Sequence, residues 1–175
     1  MKQINNYISE KLIINKDIKS THYNYHPKTK GELEELIDKL IKERGNEADL
    51  NDIDTSEIIN MSELFHESNF DGDISQWDVN NVVNMVDMFE LSKFNGDISN
   101  WNVNNVILMG GMFAHSHFNG DISKWDVSNV TNMYRMFAGS KFSGDISNWD
   151  VSNVDIMSGM FYDSPLEKNP PKWYK

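Results

Sequence analysis

The sequence contains no cysteine, which excludes disulfide bonds, thiolate metal sites and cysteine nucleophiles. No apolar run approaches the roughly 18 residues needed to cross a bilayer. At the N-terminus, MKQINNYISEKLIINKDIKS is interrupted by charged and amide residues before an apolar core of signal-peptide length develops. From the residues alone, the expectation is a cytoplasmic protein without membrane insertion. Basic residues are also scarce, 16 against 27 acidic ones, for a net charge of −11. The imbalance is uneven: residues 1–47 carry +1, 48–69 carry −6, 70–165 carry −8 and 166–175 carry +2. An acidic body repels nucleic-acid phosphate, which needs Lys or Arg to displace counterions, so no nucleic-acid partner is expected. There is no glycine-rich phosphate loop and no serine in a nucleophile elbow, and His115 and His117 lack further ligands at metal spacing. No enzymatic activity, cofactor or metal is expected.

Set against these absences is a strong internal repeat. Four copies of 24 residues begin at Phe70, Phe94, Phe118 and Phe142; the third reads FNGDISKWDVSNVTNMYRMFAGSK. A degenerate copy over 48–69 precedes them, with Leu50, Ile53, Ile58, Met61, Leu64 and Phe65 in register, and a half copy containing Trp173 follows. Numbering each copy from its first phenylalanine, all five tryptophans occupy position 8 and all nine phenylalanines occupy position 1 or 20. Every methionine except Met1 occupies position 16 or 19. Such confinement marks stacked core layers of a solenoid, in which no copy buries its apolar face alone.

Within a copy, Ile74, Trp77, Val79 and Val82 follow the L-x-x-L-x-L spacing of leucine-rich repeats, placing a short strand at Trp77–Val79. Val82, Met85, Met88 and Phe89 lie on one face of a short helix, with Asn81 or Ser128-Asn129 as expected N-caps. The expected class is therefore α/β: a leucine-rich-repeat-like solenoid with one parallel strand and one helix per coil. Three segments follow: an N-terminal segment over 1–47, the repeats over 48–165, and a half-repeat cap over 166–175. Thr29-x-x-Glu32 is a capping box, and Leu33, Leu36, Ile37, Leu40 and Ile41 form a helical stripe, so a capping helix is expected over Lys30–Arg44 before Gly45. A short helix around Ile4, Tyr7 and Ile8 and a strand at Leu12–Ile14 are expected further upstream. Pro165, Pro170 and Pro171 lack the donors that a further strand would need.

The phrase F-N-G-D-I-S-x-W-D-V-S-N-V-T-N-M-x-x-M-F, complete over Phe118–Phe137, resembles the repeat of the BspA-like leucine-rich-repeat surface proteins, also found in mycoplasma-type lipoproteins. The resemblance covers about residues 48–175. It implies a right-handed solenoid and, for many members, display on a bacterial surface for adhesion. This chain shows no lipid-attachment cysteine, and its N-terminal segment through YHPKTK resembles compact, leaderless members of gut bacteria and their mobile elements.

Two sets of residues are candidates for contact with a protein partner. Asp78, Asn102, Asp126 and Asp150 at position 9 should form an acidic row on the solvent side of the strands, suited to a basic or amide-rich partner. Tyr134, Arg135 and Tyr162 fall at positions that vary between copies, and Tyr beside Arg has the composition of an interface hot spot. The Asp73, Asp97, Asp121 and Asp145 row reads as turn closure rather than a calcium ladder, because one carboxylate per coil is too few for that ion. The expected function is a non-catalytic protein-binding module. The alternatives are a structural or oligomerising subunit, or an acidic inhibitor from a mobile element that blocks a host protein.

Overall fold

In the computed structural model, which describes residues 23–175, backbone hydrogen bonds join each copy to the next at the repeat spacing. The N–H groups of Val83, Ile107, Thr131 and Asp155 each donate to the carbonyl 24 residues earlier, at 2.8–2.9 Å. One residue further on, parallel bridges link Asn60, Asn84, Leu108, Asn132 and Ile156 in a single column. Beyond the column, N–H groups donate forward: Met85 to Leu108, Asp87 to Gly110, Phe89 to Met112 and Leu91 to Ala114, all at 2.9 Å.

The aromatic layers follow the same register. Phe70, Phe94, Phe118 and Phe142 stack with centroids 6.2–6.3 Å apart, and Phe65, Phe89, Phe113, Phe137 and Phe161 at 5.4–6.0 Å. The two columns interlock, with Phe89 and Phe94 at 4.5 Å, inside the range where offset rings attract. Truncating one such buried ring to alanine costs about 3–5 kcal/mol. The ring of Phe94 also lies against Gly96, where an added Cβ would stand 2.8 Å from its Cε2 atom. Position 3 is therefore glycine because an aromatic ring crosses its α-carbon, not because a turn requires positive φ.

Two expectations about the coil do not hold. No backbone pairing between copies occurs at Trp77–Val79. There the Trp77 N–H closes a turn onto the Ile74 carbonyl at 3.1 Å, and the Val79 carbonyl accepts from Val82 at 3.0 Å. Side chains join the copies at this level instead. Indole Nε1 of Trp77, Trp101, Trp125, Trp149 and Trp173 donates to the carbonyls of Leu50, Ile74, Ile98, Ile122 and Ile146, at 3.0–3.2 Å. Nδ2 of Asn81, Asn105, Asn129 and Asn153 donates to the carbonyls of Ser56, Asn80, Asn104 and Ser128 at 2.7 Å. Asn81 and Asn129 are thus rungs between copies, not helix caps.

Nor is Val82–Phe89 a helix. It is the start of consecutive turns, in which Met88 donates to Met85, Glu90 to Asp87 and Ser92 to Phe89 at 3.1–3.3 Å. The residues at positions 18 and 22 take positive φ, as at Asp87 (53°), Leu91 (57°), Arg135 (52°) and Gly139 (62°). A left-handed residue every fourth position breaks helical dihedrals, and a turn with positive φ at its third residue has type II character. Alternate N–H groups then face the following copy rather than their own chain, so the neighbour satisfies them.

The N-terminal side is closed by helix α1 (Lys30–Arg44), which buries Leu33, Ile37 and Leu40. Thr29 Oγ1 accepts from the Glu32 N–H at 3.2 Å, and Glu32 Oε2 accepts from the Lys28 N–H at 2.7 Å, one residue before the expected partner. Gly45, at φ 91°, ends the helix with its N–H on the Ile41 carbonyl. Arg44 grips Asp52 through two bonds of 3.0 Å and lies 5.8 Å from the Tyr25 ring centre, and Tyr25 bridges Ile53 of the leading copy. The helix around Ile4, Tyr7 and Ile8 and the strand at Leu12–Ile14 fall outside the described residues. After the fourth copy, a 3-10 turn at Pro165–Glu167 leads to Tyr174, whose ring sits edge-on to Phe161 at 4.9 Å.

Candidate functional site

The position-9 residues all serve the scaffold. Asp78, Asn102, Asp126 and Asp150 accept from the backbone N–H two residues ahead at 3.0–3.4 Å, each closing a local turn. Asp126 and Asp150 lie below the usual aspartate pKa range, first because of hydrogen bonds from the Ser128 and Ser152 side chains. Asn102 also donates to Asn80 Oδ1 at 2.6 Å. Asp73, Asp97, Asp121 and Asp145 do the same two-residue closure at 2.9 Å. A carboxylate already held by its own backbone offers a partner less than its charge suggests.

The variable positions are more informative, although the scaffold constrains them more than sequence variation implies. Positions 18 and 22 must accept positive φ, and three of their eight occupants in the four full copies are glycine: Gly111, Gly139 and Gly159. The side chains of Asp87, His115 and Arg135 lean over the following copy. A Cβ on Gly111 would overlap the Asp87 carboxylate, and one on Gly139 would overlap the His115 ring. The Arg135 stem lies 3.4 Å from where a Cβ would stand on Gly159.

This leaning produces a cleft of about 280 Å³ across three copies. Gly110, Gly111 and Ala114 of the second copy form its floor, because they carry no side chain beyond a methyl. The first copy supplies one wall with Asp87 and Glu90, and the third supplies the other with Tyr134. Backbone bonds hold floor to walls: Asp87 N–H to the Gly110 carbonyl at 2.9 Å, Gly111 N–H to the Tyr134 carbonyl at 2.8 Å. Burial, then the nearby Glu90 and Glu63 carboxylates, push Asp87 above the usual aspartate range, with His66 opposing. Glu90 itself lies 3.3 Å from His66 Nδ1. Arg135 sets its guanidinium 5.4 Å from the centre of the Tyr134 ring.

Of the residues singled out from sequence, Tyr134 and Arg135 therefore line one cleft. Tyr162 stands apart, in a hollow of about 260 Å³ with Phe161, Glu167 and Tyr174. Asp87, Glu90, Gly110 and Gly111 were not selected by sequence reasoning. The available signal was a Gly-Gly pair in one copy where the flanking copies carry Val86-Asp87 and Tyr134-Arg135. A second exposed feature is the position-14 row: Ile59, Val83 and Ile107 are 65%, 39% and 40% exposed in successive copies of one hydrogen-bonded column.

The family described as "Mycoplasma protein of unknown function, DUF285" matches residues 33–117 and 112–174. The chain belongs to this family. Both matched segments lie on α1 and the repeats, so this DUF285 member is a bacterial repeat protein. No curated protein and no solved structure matches the chain. Among the described residues of this DUF285 chain, no helix is long and apolar enough to cross a membrane, and no group of three His, Asp or Glu residues is placed to hold a metal ion.

Proposed function

We propose that this protein is a non-catalytic protein-binding module, built as a leucine-rich-repeat-like right-handed solenoid and related to the BspA-like surface proteins. The observation that carries the binding reading is the exposed row of Ile59, Val83 and Ile107 on a body of net charge −11. Three β-branched apolar side chains in register, about 4.8 Å apart along a parallel column, form a contiguous patch rather than scattered surface residues. Contiguous apolar patches with polar rims mark interaction surfaces on soluble proteins. The stacking of copies at the repeat spacing supports the solenoid reading, and the repeat phrase supports the kinship.

The test is capture by cross-linking from cell extract, followed by titration of the purified partner. Val83→Asn with Ile107→Asn should weaken binding by about tenfold, the equivalent of roughly 1.4 kcal/mol, whereas Asp126→Asn should leave it unchanged. Equal affinity for all three proteins would remove the position-14 row as the binding surface. A protein that captures nothing and forms defined oligomers would favour the structural-subunit reading instead.

A further inference from the structure

The Asp87 cleft holds a carboxylate that makes no hydrogen bond and no ion pair among the described residues. A larger hollow of about 620 Å³ between Ser143–Asn148 and Asn169–Lys172 contains Asp145, but that carboxylate already accepts from the Ser147 N–H. The Tyr162 hollow contains Glu167, which already accepts from the Asp163 N–H. Asp87 accepts no hydrogen bond and pairs with no cation among the described residues; burial and two neighbouring carboxylates act against its charge.

The direction of the side chains decides the sign of the cleft. Asp87 leans forward over Gly111, onto the floor. Arg135 and His115 also line the cleft, but they lean forward too, over Gly159 and Gly139, away from that floor. The two basic groups thus lean towards the next copy, with the Arg135 guanidinium over the Tyr134 ring, while the Asp87 carboxylate lies over Gly111. Opposite it, Tyr134 is 44% exposed and presents apolar surface. At about 280 Å³ the cleft lies at the lower bound of pockets for whole small molecules, and suits one long side chain.

We propose that the cleft receives a lysine or arginine side chain of the protein partner, the alkyl stem crossing Gly110 beside Tyr134 and the cation meeting the Asp87 carboxylate over Gly111, next to Glu90. This assignment rests on the protein-binding reading above and names the chemistry of one contact within it. A cation there offsets the charge of Asp87, which only the more distant His66 beside Glu90 opposes, and the net charge of −11 favours the approach of a basic segment from a distance. The glycines matter because Gly111 leaves room for the Asp87 carboxylate and a side chain at Gly110 would fill the space the stem requires.

The experiment titrates 15N-labelled full chain with acetyl-Gly-Gly-Lys-Gly-Gly-amide, its arginine counterpart and its norleucine counterpart, followed by NMR. The lysine or arginine peptide should move the Gly110, Gly111 and Tyr134 amide signals saturably, and the norleucine peptide should not. Asp87→Asn, which keeps the shape and removes the charge, should weaken binding by about fivefold, the upper range for a partly exposed ion pair. Gly110→Leu, at a residue outside the left-handed region, should abolish it by filling the floor. Asp126→Asn should have no effect. The proposal is overturned if norleucine acts as lysine does, if Asp87→Asn or Gly110→Leu binds like the wild type, or if the shifts spread over the acidic surface and sodium chloride reproduces them. A partner that binds while the peptide leaves Gly110 and Gly111 unmoved overturns the cleft assignment alone. A peptide that titrates the cleft when no partner is captured upholds the assignment and defeats the binding-module reading.

Discussion

Tryptophan at position 8 does two jobs, filling a core layer and tying its copy to the preceding one through Nε1. Trp125 is 4% exposed and donates to the Ile98 carbonyl at 3.2 Å. Trp125→Ala should therefore lower stability by about 3–5 kcal/mol. Trp125→Phe should fall between that variant and the wild type, because it keeps a ring but loses the Nε1 bond to the Ile98 carbonyl, which retains only the Trp101 N–H at 3.1 Å. Asp126→Asn, next in sequence but exposed, should change stability by under about 0.5 kcal/mol. Urea midpoints compare the variants directly, and similar values for Trp125→Ala and Asp126→Asn would contradict the layer assignment.

Helix α1 shows how local signals and tertiary contacts combine in one element. Its start is set by Thr29, its stop by Gly45, and its inward face by Leu33, Ile37 and Leu40, all visible in the residue pattern. Thr29→Ala should cost about 1 kcal/mol by leaving one helix donor without its cap, read as a drop in urea midpoint. An unchanged midpoint would mean that α1 does not unfold with the repeats. The Arg44–Asp52 clasp could not be read from spacing, because it joins the last turn of the helix to a loop of the leading copy. The turn run after the column was misread as a helix for a related reason. Inward residues at positions 13, 16, 19 and 20 suit one helical face and suit the successive turns equally well.

For the molecule as a whole, the repeated carboxylates link stability to pH. The Ser99, Ser123 and Ser147 backbone N–H groups hold Asp97, Asp121 and Asp145 below the usual aspartate range, and Arg44 does the same to Asp52. A carboxylate whose pKa is lower folded than unfolded adds stability above the unfolded value, about pH 4, and loses it as pH falls through the folded value. Asp87 runs the other way: its raised folded value means that protonation relieves a cost. The depressed groups outnumber it, so urea midpoints should fall as the pH drops below about 4. In the triple variant Asp97→Asn, Asp121→Asn, Asp145→Asn the fall should be shallower, since the amide oxygen still accepts the N–H and does not titrate. Equal slopes would show that these turns carry no linkage.

The sequence by itself determined the period and the buried layers. Trp, Phe and Met recur at five positions, and apolar residues of that size have no other place to go when copies stack. It also determined α1, whose caps and stripe are local. What only the tertiary structure decided is where the backbone pairs and where a ligand could sit. Pairing moved to the Asn84 column because the N–H groups there find carbonyls in the neighbouring copy, a choice that no single copy records. The cleft depends on Asp87 leaning over Gly111, a contact between residues 24 apart, so its acidic wall, glycine floor and Tyr134 wall belong together only once three copies are stacked.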